Sequence, residues 1–359
     1  MDTNKVKKAL LAAPSNPQAE WGGGGLSTGS TLLNLACSGR TSWGWALGYY
    51  YLLVGDSASG KTFLSLTCLA EAAKNPDFGK YRFIYDGAEQ GALMDLKRFF
   101  GSGVANRMEP PSGTREDPSY SNTIEEFFFH VDDAFDAGKP FIYILDSMDV
   151  LSSEEETEKF TEGKKAARRG REVSGSYGTS KAKANSAGIR RIIPRLRDTG
   201  SILVVISQTR DNIGWGFEKK SRSGGHALRF YATCEMWSSV KGRITKVVRG
   251  EQRQLGVLCE IKVRKNRLTG KERSVEVPIF WSYGLDDIGS MVNYLVAEKH
   301  WPEKAGKVDA GEFGLNGGRD KITRHVESNG LERKLQKVVA GVWDEIEEAC
   351  HLKRKKRYE

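Results

Sequence analysis

Tyr49-Tyr50-Tyr51-Leu52-Leu53-Val54 runs directly into Gly55-Asp56-Ser57-Ala58-Ser59-Gly60-Lys61-Thr62, and these fourteen residues decide the fold. The first six are aromatic, leucine or valine, the composition of a buried strand. The next eight fit G-x-x-x-x-G-K-[ST], a loop that cradles phosphate groups between a strand and a helix. Helical periodicity over Thr62–Lys74 supplies that helix. Gly55 and Gly60 let the chain curl, so that successive N–H groups of the loop point at one anion. Lys61 adds a point charge toward the β- and γ-phosphates, and the Thr62 hydroxyl suits Mg2+. The stretch predicts a nucleotide site at the end of a parallel strand.

Strand–helix alternation continues beyond it. Tyr81–Tyr85, Phe141–Leu145 and Ile202–Ser207 are further short apolar runs, while Thr123–Ala137 and Ala187–Arg197 carry helical periodicity. This spacing predicts an α/β fold with a mainly parallel central sheet covered on both faces. Leu255–Lys265 and Arg273–Trp281 flank Leu268-Thr269-Gly270-Lys271, a hairpin expected at one end of the sheet. Asp146 follows the run Phe141–Leu145, where a carboxylate would hold Mg2+, although an Asp at a strand end also serves as a turn cap. Glu89 follows Tyr81–Tyr85 at the same edge, where loop residues meet ligand. From position alone it reads equally as the group that orients an attacking water and as a surface carboxylate.

The 359 residues suffice for about two domains and a sizeable core without disulfides. Forty glycines accompany only ten prolines with no collagen period, which excludes fibrous classes. No apolar run nears the ~20 residues that cross a bilayer, and the first residues lack the apolar core of a signal peptide. A soluble, cytoplasmic protein without membrane contact is expected. The five cysteines form no CxxC pair and the five histidines no HxxxH or HExxH, so buried reduced thiols are expected and zinc is not.

Net charge is +9, from 55 Lys and Arg against 46 Asp and Glu. Eleven of the cations crowd between Gly163 and Arg197, where only Glu172 opposes them, and Lys353–Arg357 is a second basic block. Such blocks suit a polyanion or form a solvated surface. Val6, Ala9, Leu10 and Ala13 mark a short helix stopped by Pro14, and Ser15–Gly25 reads as a linker. Residues 303–330 are rich in glycine and charge, after which Leu331, Leu335, Val338, Val342 and Ile346 mark one amphipathic helix. Three parts are expected: 1–26 as an oligomerisation helix and linker, 27–290 as the core, and 291–359 as a small helical region with a basic tail.

Further segments make the signal more specific. They are Ser27-Thr28-Gly29-Ser30, Arg82–Glu89, Leu145-Asp146-Ser147, Ile206-Ser207-Gln208, Gly224–Ala232 (GGHALRFYA) and Val263–Arg267 (VRKNR). In order and spacing this series, over about 27–295, resembles the RecA recombinases, and its overall character is similar to the phage RecA/UvsX group. Generic P-loop ATPases have no segment like 224–232. The resemblance implies a P-loop NTPase with a RecA-like core that binds ATP and Mg2+.

Residue by residue, it implies that Glu89 is the catalytic glutamate, acting with Lys61, and that Gln208 senses the γ-phosphate. Residues 154–183 and 209–225 then correspond to two DNA-binding loops. Lys183, Ser186 and Arg190 fall on phosphate-contacting positions. Arg210, Gly224 and Gly225 match DNA contacts, and Ile213 an apolar wedge between bases. Lys265 and Arg267 match two lysines that reach the ATP of the adjacent subunit; Arg at 267 keeps the charge but not the geometry. Trp215 and Phe217, set among glycines, suit packing against unstacked bases or form a mobile surface lid. Tyr85–Glu89 is longer than the usual connection, the adenine-stacking tyrosine has no counterpart, and a basic end replaces an acidic tail.

The expected protein is an ATP-dependent recombinase that forms head-to-tail helical filaments on single-stranded DNA and exchanges strands with homologous duplex DNA. ATP would sit between subunits, and single-strand-binding and mediator proteins would be further partners. Two alternatives stay open: a ring-forming RecA-fold motor, such as a replicative helicase or KaiC-like ATPase, and a regulatory paralogue that turns over ATP poorly. The 224–232 segment counts against the first. Intact Lys61, Thr62, Glu89, Asp146 and Gln208 count against the second.

Overall fold

Ten strands form the central sheet: Tyr50–Gly55 (β1), Arg82–Asp86 (β2), Met108–Glu109 (β3), Phe141–Leu145 (β4), Ile202–Asp211 (β5), Lys220–Arg222 (β6), Cys234–Val248 (β7), Glu251–Asn266 (β8), Arg273–Phe280 (β9) and Gly284–Leu285 (β10). They are seen in a computed structural model that describes residues 24–89, 94–169, 180–211, 220–222, 226–354 and 358. The helix expected over Val6–Ala13 lies outside these residues. Strand order is β10-β9-β8-β7-β1-β5-β4-β2-β3, with β6 paired to β5 alone. From β7 to β3 every neighbouring pair is parallel, and β8, β9 and β10 are added antiparallel. The sheet is therefore mixed and largely parallel, consistent with a RecA-like core.

Alternate residues of the central strands face opposite layers. Tyr51 and Leu53 of β1, Ile142 and Ile144 of β4, and Val204 and Ile206 of β5 join one apolar cluster. Tyr50, Leu52, Val54, Tyr143, Leu145, Leu203 and Val205 join the other. Strands covered on both sides read as continuous apolar runs, which is why these were visible in the sequence. Ten helices are used below: Thr31–Ser38 (α1), Lys61–Lys74 (α2), Leu96–Arg107 (α3), Ile124–Asp136 (α4), Glu154–Ala167 (α5), Ser180–Thr199 (α6), His226–Tyr231 (α7), Asp287–Ala297 (α8), Arg319–Ser328 (α9) and Glu332–Ala349 (α10). Helices α1, α2, α3, α8, α9 and α10 cover the first face, and α4, α6 and α7 the second.

Several expectations change in detail. The 154–183 segment, expected as a loop, is helical over α5, and the chain is helical again from Ser180. A capping box between Ser153 and Glu156, acids in the first turn and Lys164 and Lys165 in the last stabilise α5, although no residue of it is buried. Helix α6 begins at Ser180 rather than Ala187, because its first two turns are good helix formers without an apolar period. Strand β5 runs past Ser207 to Asp211, and β6 returns along it with Thr209 opposite Arg222. Strand β7 carried no clear sequence signal. Its outer half pairs with β8 as an exposed ribbon in which Lys241, Arg243 and Lys246 interrupt the apolar pattern.

The hairpin around Leu268–Lys271 joins β8 to β9 at one end of the sheet. Residues 303–317 fold into a three-stranded antiparallel sheet among the C-terminal helices. Met291, Leu295, Leu335, Val339 and Trp343 enter the same apolar cluster as the core strands. Cys37, Cys68, Cys234 and Cys259 are buried as expected, whereas Cys350, just past α10, is exposed. Among the described residues no helix is long and apolar enough to cross a membrane.

Helix α10 is pinned to the β8–β9 turn by Glu347. Its carboxylate accepts from Arg273 Nε at 2.5 Å and Arg273 Nη2 at 2.7 Å, and also from Lys271 Nζ. A bidentate guanidinium is a strong partner, and it holds the Glu347 carboxyl down at about 2, against an ordinary 4.5. A depressed carboxylate stabilises the fold above its unfolded value, and the gain is lost as pH falls through the folded one. Glu347→Gln is therefore expected to cost on the order of 1–3 kcal/mol at pH 7. Urea unfolding of both proteins should show that difference shrinking between about pH 4.5 and pH 2.

Candidate functional site

The loop leaving β1 is shaped by close approach. A Cβ on Gly55 would stand 2.2 Å from the Ser238 carbonyl oxygen of β7. Gly60 has φ of 82°, and a Cβ there would meet Ile279 Cδ1 at 2.6 Å. Ala58 also takes a positive φ, 59°. Ser238 Oγ donates to the Ser59 carbonyl at 2.5 Å, and Ser59 Oγ donates to the Asp56 carbonyl at 2.8 Å. Gly60, at the N-cap of α2, offers no side-chain acceptor, so the first amides of α2 have no side-chain cap, an arrangement that suits an anion.

Lys61 is 7% exposed, and its Nζ donates to the Asp56 carbonyl at 2.6 Å. Burial lowers its pKa, and the nearby carboxylates of Asp146, Glu89, Asp149 and Asp56 oppose that shift. Asp146 lies just beyond β4 with its Oδ2 accepting from Thr62 Oγ1 at 2.6 Å and from Tyr85 OH at 2.9 Å. Burial raises its pKa, while those two hydrogen bonds work the other way. The predicted pair Thr62 and Asp146 is thus brought together as two hard oxygen donors.

Glu89 joins this edge. Its N–H donates to the Asp146 carbonyl at 3.0 Å, and its Oε1 accepts from Gln208 Nε2 at 2.7 Å and from Ser147 Oγ. Although exposed, it is tethered to Ser147 and Gln208, beside the phosphate loop. Asp86 lies in the connection before it. That buried carboxylate ends β2 and accepts from Tyr143 OH at 2.7 Å, Ser121 Oγ at 2.5 Å and Ser121 N at 3.0 Å.

Tyr85 and Asp149 were given no role from the sequence, and Ser147 and Thr209 entered only as members of quoted segments. Asp149 Oδ2 accepts the Gln208 backbone N–H at 2.6 Å, and Thr209 Oγ1 donates to Asp56 Oδ1. Their only sequence signal is adjacency to motif residues. A cavity of about 470 Å³ runs beside α2 from Phe63, the residue after Thr62, and is also lined by Phe99, Phe100, Tyr283 and Asp287.

Lys265 and Arg267 are not brought to this site within the chain. Lys265 lies across from Glu235 of β7, and Glu235 across from Leu52, whereas the phosphate loop begins at Gly55 opposite Ser238. Arg267 lies further still toward the start of β1, its N–H donating to the Thr233 carbonyl. Lys265 Nζ donates to the carbonyls of Arg229 and Phe230 at 2.5 and 2.7 Å, and Arg267 Nη2 to that of Phe230 at 2.6 Å. Both cations stand over the exposed Phe230 ring. Burial, helped by Arg267, lowers the Lys265 pKa to about 8.

Lys183 and Arg190 are exposed on α6, with Ser186 half-buried between them. The basic stretch around them is partly neutralised from outside itself. Arg195 bonds Asp132 at 3.0 Å and Asp136 at 2.5 Å, Arg191 pairs with Asp132, and Lys181 approaches Glu156 at 3.6 Å. Arg210 is placed by the backbone of β5. Ile213, Trp215, Phe217, Gly224 and Gly225 lie outside the described residues.

The loop geometry predicts the cost of a methyl group. Gly60→Ala should destabilise the fold by about 1–3 kcal/mol, from a left-handed backbone and a clash with Ile279. Thermal and urea unfolding in the absence of nucleotide would check this, and wild-type stability would contradict the packing described.

Residues 162–286 match the RecA N-terminal domain family. The matched stretch carries Gln208, Lys265 and Arg267, while the phosphate loop, Glu89 and Asp146 precede it and stand on their own geometry. Over residues 162–286 the chain is thus similar to the RecA N-terminal domain.

Proposed function

We propose that the chain is an ATP-dependent DNA recombinase of the phage RecA/UvsX type, acting as a helical filament on single-stranded DNA. The observation that carries this reading is the convergence of Lys61, Thr62, Asp146, Glu89 and Gln208 at one sheet edge, joined to a RecA-type domain. Within it, Lys61 and the first amides of α2 bind the β- and γ-phosphates. The Thr62 hydroxyl and the Asp146 carboxylate fit Mg2+, which takes oxygen donors and is commonly held by one or two protein groups plus phosphates. When bound, Mg2+ would neutralise phosphate charge.

Glu89, held by Ser147 and Gln208, orients the attacking water and accepts its proton at a carboxylate oxygen. Gln208 Nε2 carries two hydrogens, one of which bonds Glu89, so a γ-phosphate that takes the other ties nucleotide binding to the root of segment 209–225. That segment and exposed Lys183 and Arg190 track the DNA backbone without reading bases. Lys265 and Arg267 complete the site of the next subunit. The base lies in the cavity beginning at Phe63, whose aromatic walls replace the stacking tyrosine missing from the sequence.

Glu89→Gln should retain ATP and lower hydrolysis at least ~10²-fold, and Lys61→Ala should abolish it. ATPase rates with and without single-stranded DNA, paired with negative-stain images, test the reading as a whole. Rings, or an ATPase indifferent to DNA, would replace it with a motor or a regulatory protein. The base pocket has its own test. Phe63→Ala should raise the ATP concentration at half-maximal rate about 10-fold, with little change in the maximal rate.

A further inference from the structure

Gln208 is one tether between the phosphate site and segment 209–225, and the structure holds a second beside it. Asp56, the first residue of the loop after Gly55, is bonded on two sides. Its carbonyl accepts from Lys61 Nζ at 2.6 Å and Ser59 Oγ at 2.8 Å, and its carboxylate accepts from Thr209 Oγ1. Thr209 stands at the root of the β5–β6 arm, opposite Arg222. One residue therefore contacts both the lysine that neutralises phosphate and the base of the arm. The Asp56 carboxylate is also a negative charge at the mouth of the proposed nucleotide site, where it opposes phosphate binding.

We propose that Asp56 and Thr209 are positioning residues that transmit nucleotide charge to segment 209–225 by a route independent of Gln208. Phosphate draws the Lys61 ammonium from the Asp56 carbonyl and repels the Asp56 carboxylate, and the displaced carboxylate alters its hold on Thr209. The arm then changes position because its root does. This inference rests on the nucleotide site proposed above, and it needs no DNA to be tested.

Trypsin can cut after Arg210, Lys219, Lys220 and Arg222, so cleavage there reports on the arm. Adding a slowly hydrolysed ATP analogue to the full-length protein should change that cleavage rate ~5-fold or more, the lower end of common coupling strengths. Thr209→Val should lose most of this change at saturating analogue, whereas Thr209→Ser, which keeps the hydroxyl, should retain it. Asp56→Asn should bind a fluorescent ATP analogue several-fold more tightly, since a like charge is gone, yet show a reduced cleavage response. The double variant should respond no less than the weaker single variant. A full response from Thr209→Val, unchanged or weaker nucleotide binding by Asp56→Asn, or independent effects in the double variant would each overturn the proposal. Failure of the recombinase reading shows separately, as an ATPase that ignores single-stranded DNA while the cleavage response persists.

Discussion

Double-sided burial of the parallel strands is the constraint on which the rest of the structure depends. A strand with apolar layers above and below can carry charge only at its ends, because an unpaired polar group in either layer would cost several kcal/mol. Asp86 ends β2, Asp146 follows β4, Gln208 lies near the end of β5, and the phosphate loop leaves β1. The polar residues of four strands are thereby collected along one edge, where loops in such sheets meet ligand. Within that edge the carboxylates divide by partner. Asp86 spends its oxygens on Ser121 and Tyr143 and is structural, while Asp146 bonds Thr62 on the nucleotide loop.

The same logic governs the basic stretch. Read along the chain, residues 163–197 are almost uniformly cationic. In space, α6 lies on α4, and Asp132 and Asp136 supply counter-charges that local sequence cannot show. Asp132 is nearly buried, so its pairing with Arg191 and Arg195 anchors the helix pair rather than advertising charge to a partner. What remains outward still includes Lys164, Lys165, Arg168, Arg169, Lys183, Arg190 and Arg197.

Legibility followed burial. Strands β1, β4 and β5 and helices α2 and α4 were visible because their periodicity is imposed by a core on a fixed side. In the structure Thr123 and Glu126 close a capping box at the start of α4. Helix α5 and the outer half of β7 were not visible, since neither buries an apolar face and their order comes from caps or from pairing with a distant strand. At the site, Lys61, Thr62 and Asp146 were legible from the loop and strand pattern, whereas Glu89 stood out only through the family resemblance. Tyr85, Asp149 and Thr209 were not legible, because each acts by touching a motif residue at least 59 positions away in the chain.

The placement of Lys265 and Arg267 carries the last step. They sit toward the starting end of β1 and the phosphate loop at its finishing end, so one chain cannot bring them together without unpairing β7 from β1. If both serve one nucleotide, two different patches of two copies must meet, which is a head-to-tail contact rather than a two-fold one. Such contacts propagate, closing into a ring or continuing as a helix according to the rotation between copies. The electrostatics favour the same arrangement. Lys265 is pressed by its own neighbours Arg267 and Arg229 and by burial, and an incoming anion relieves that pressure. The exposed Phe230 ring lies beneath both cations, so any group that approaches them also covers apolar area.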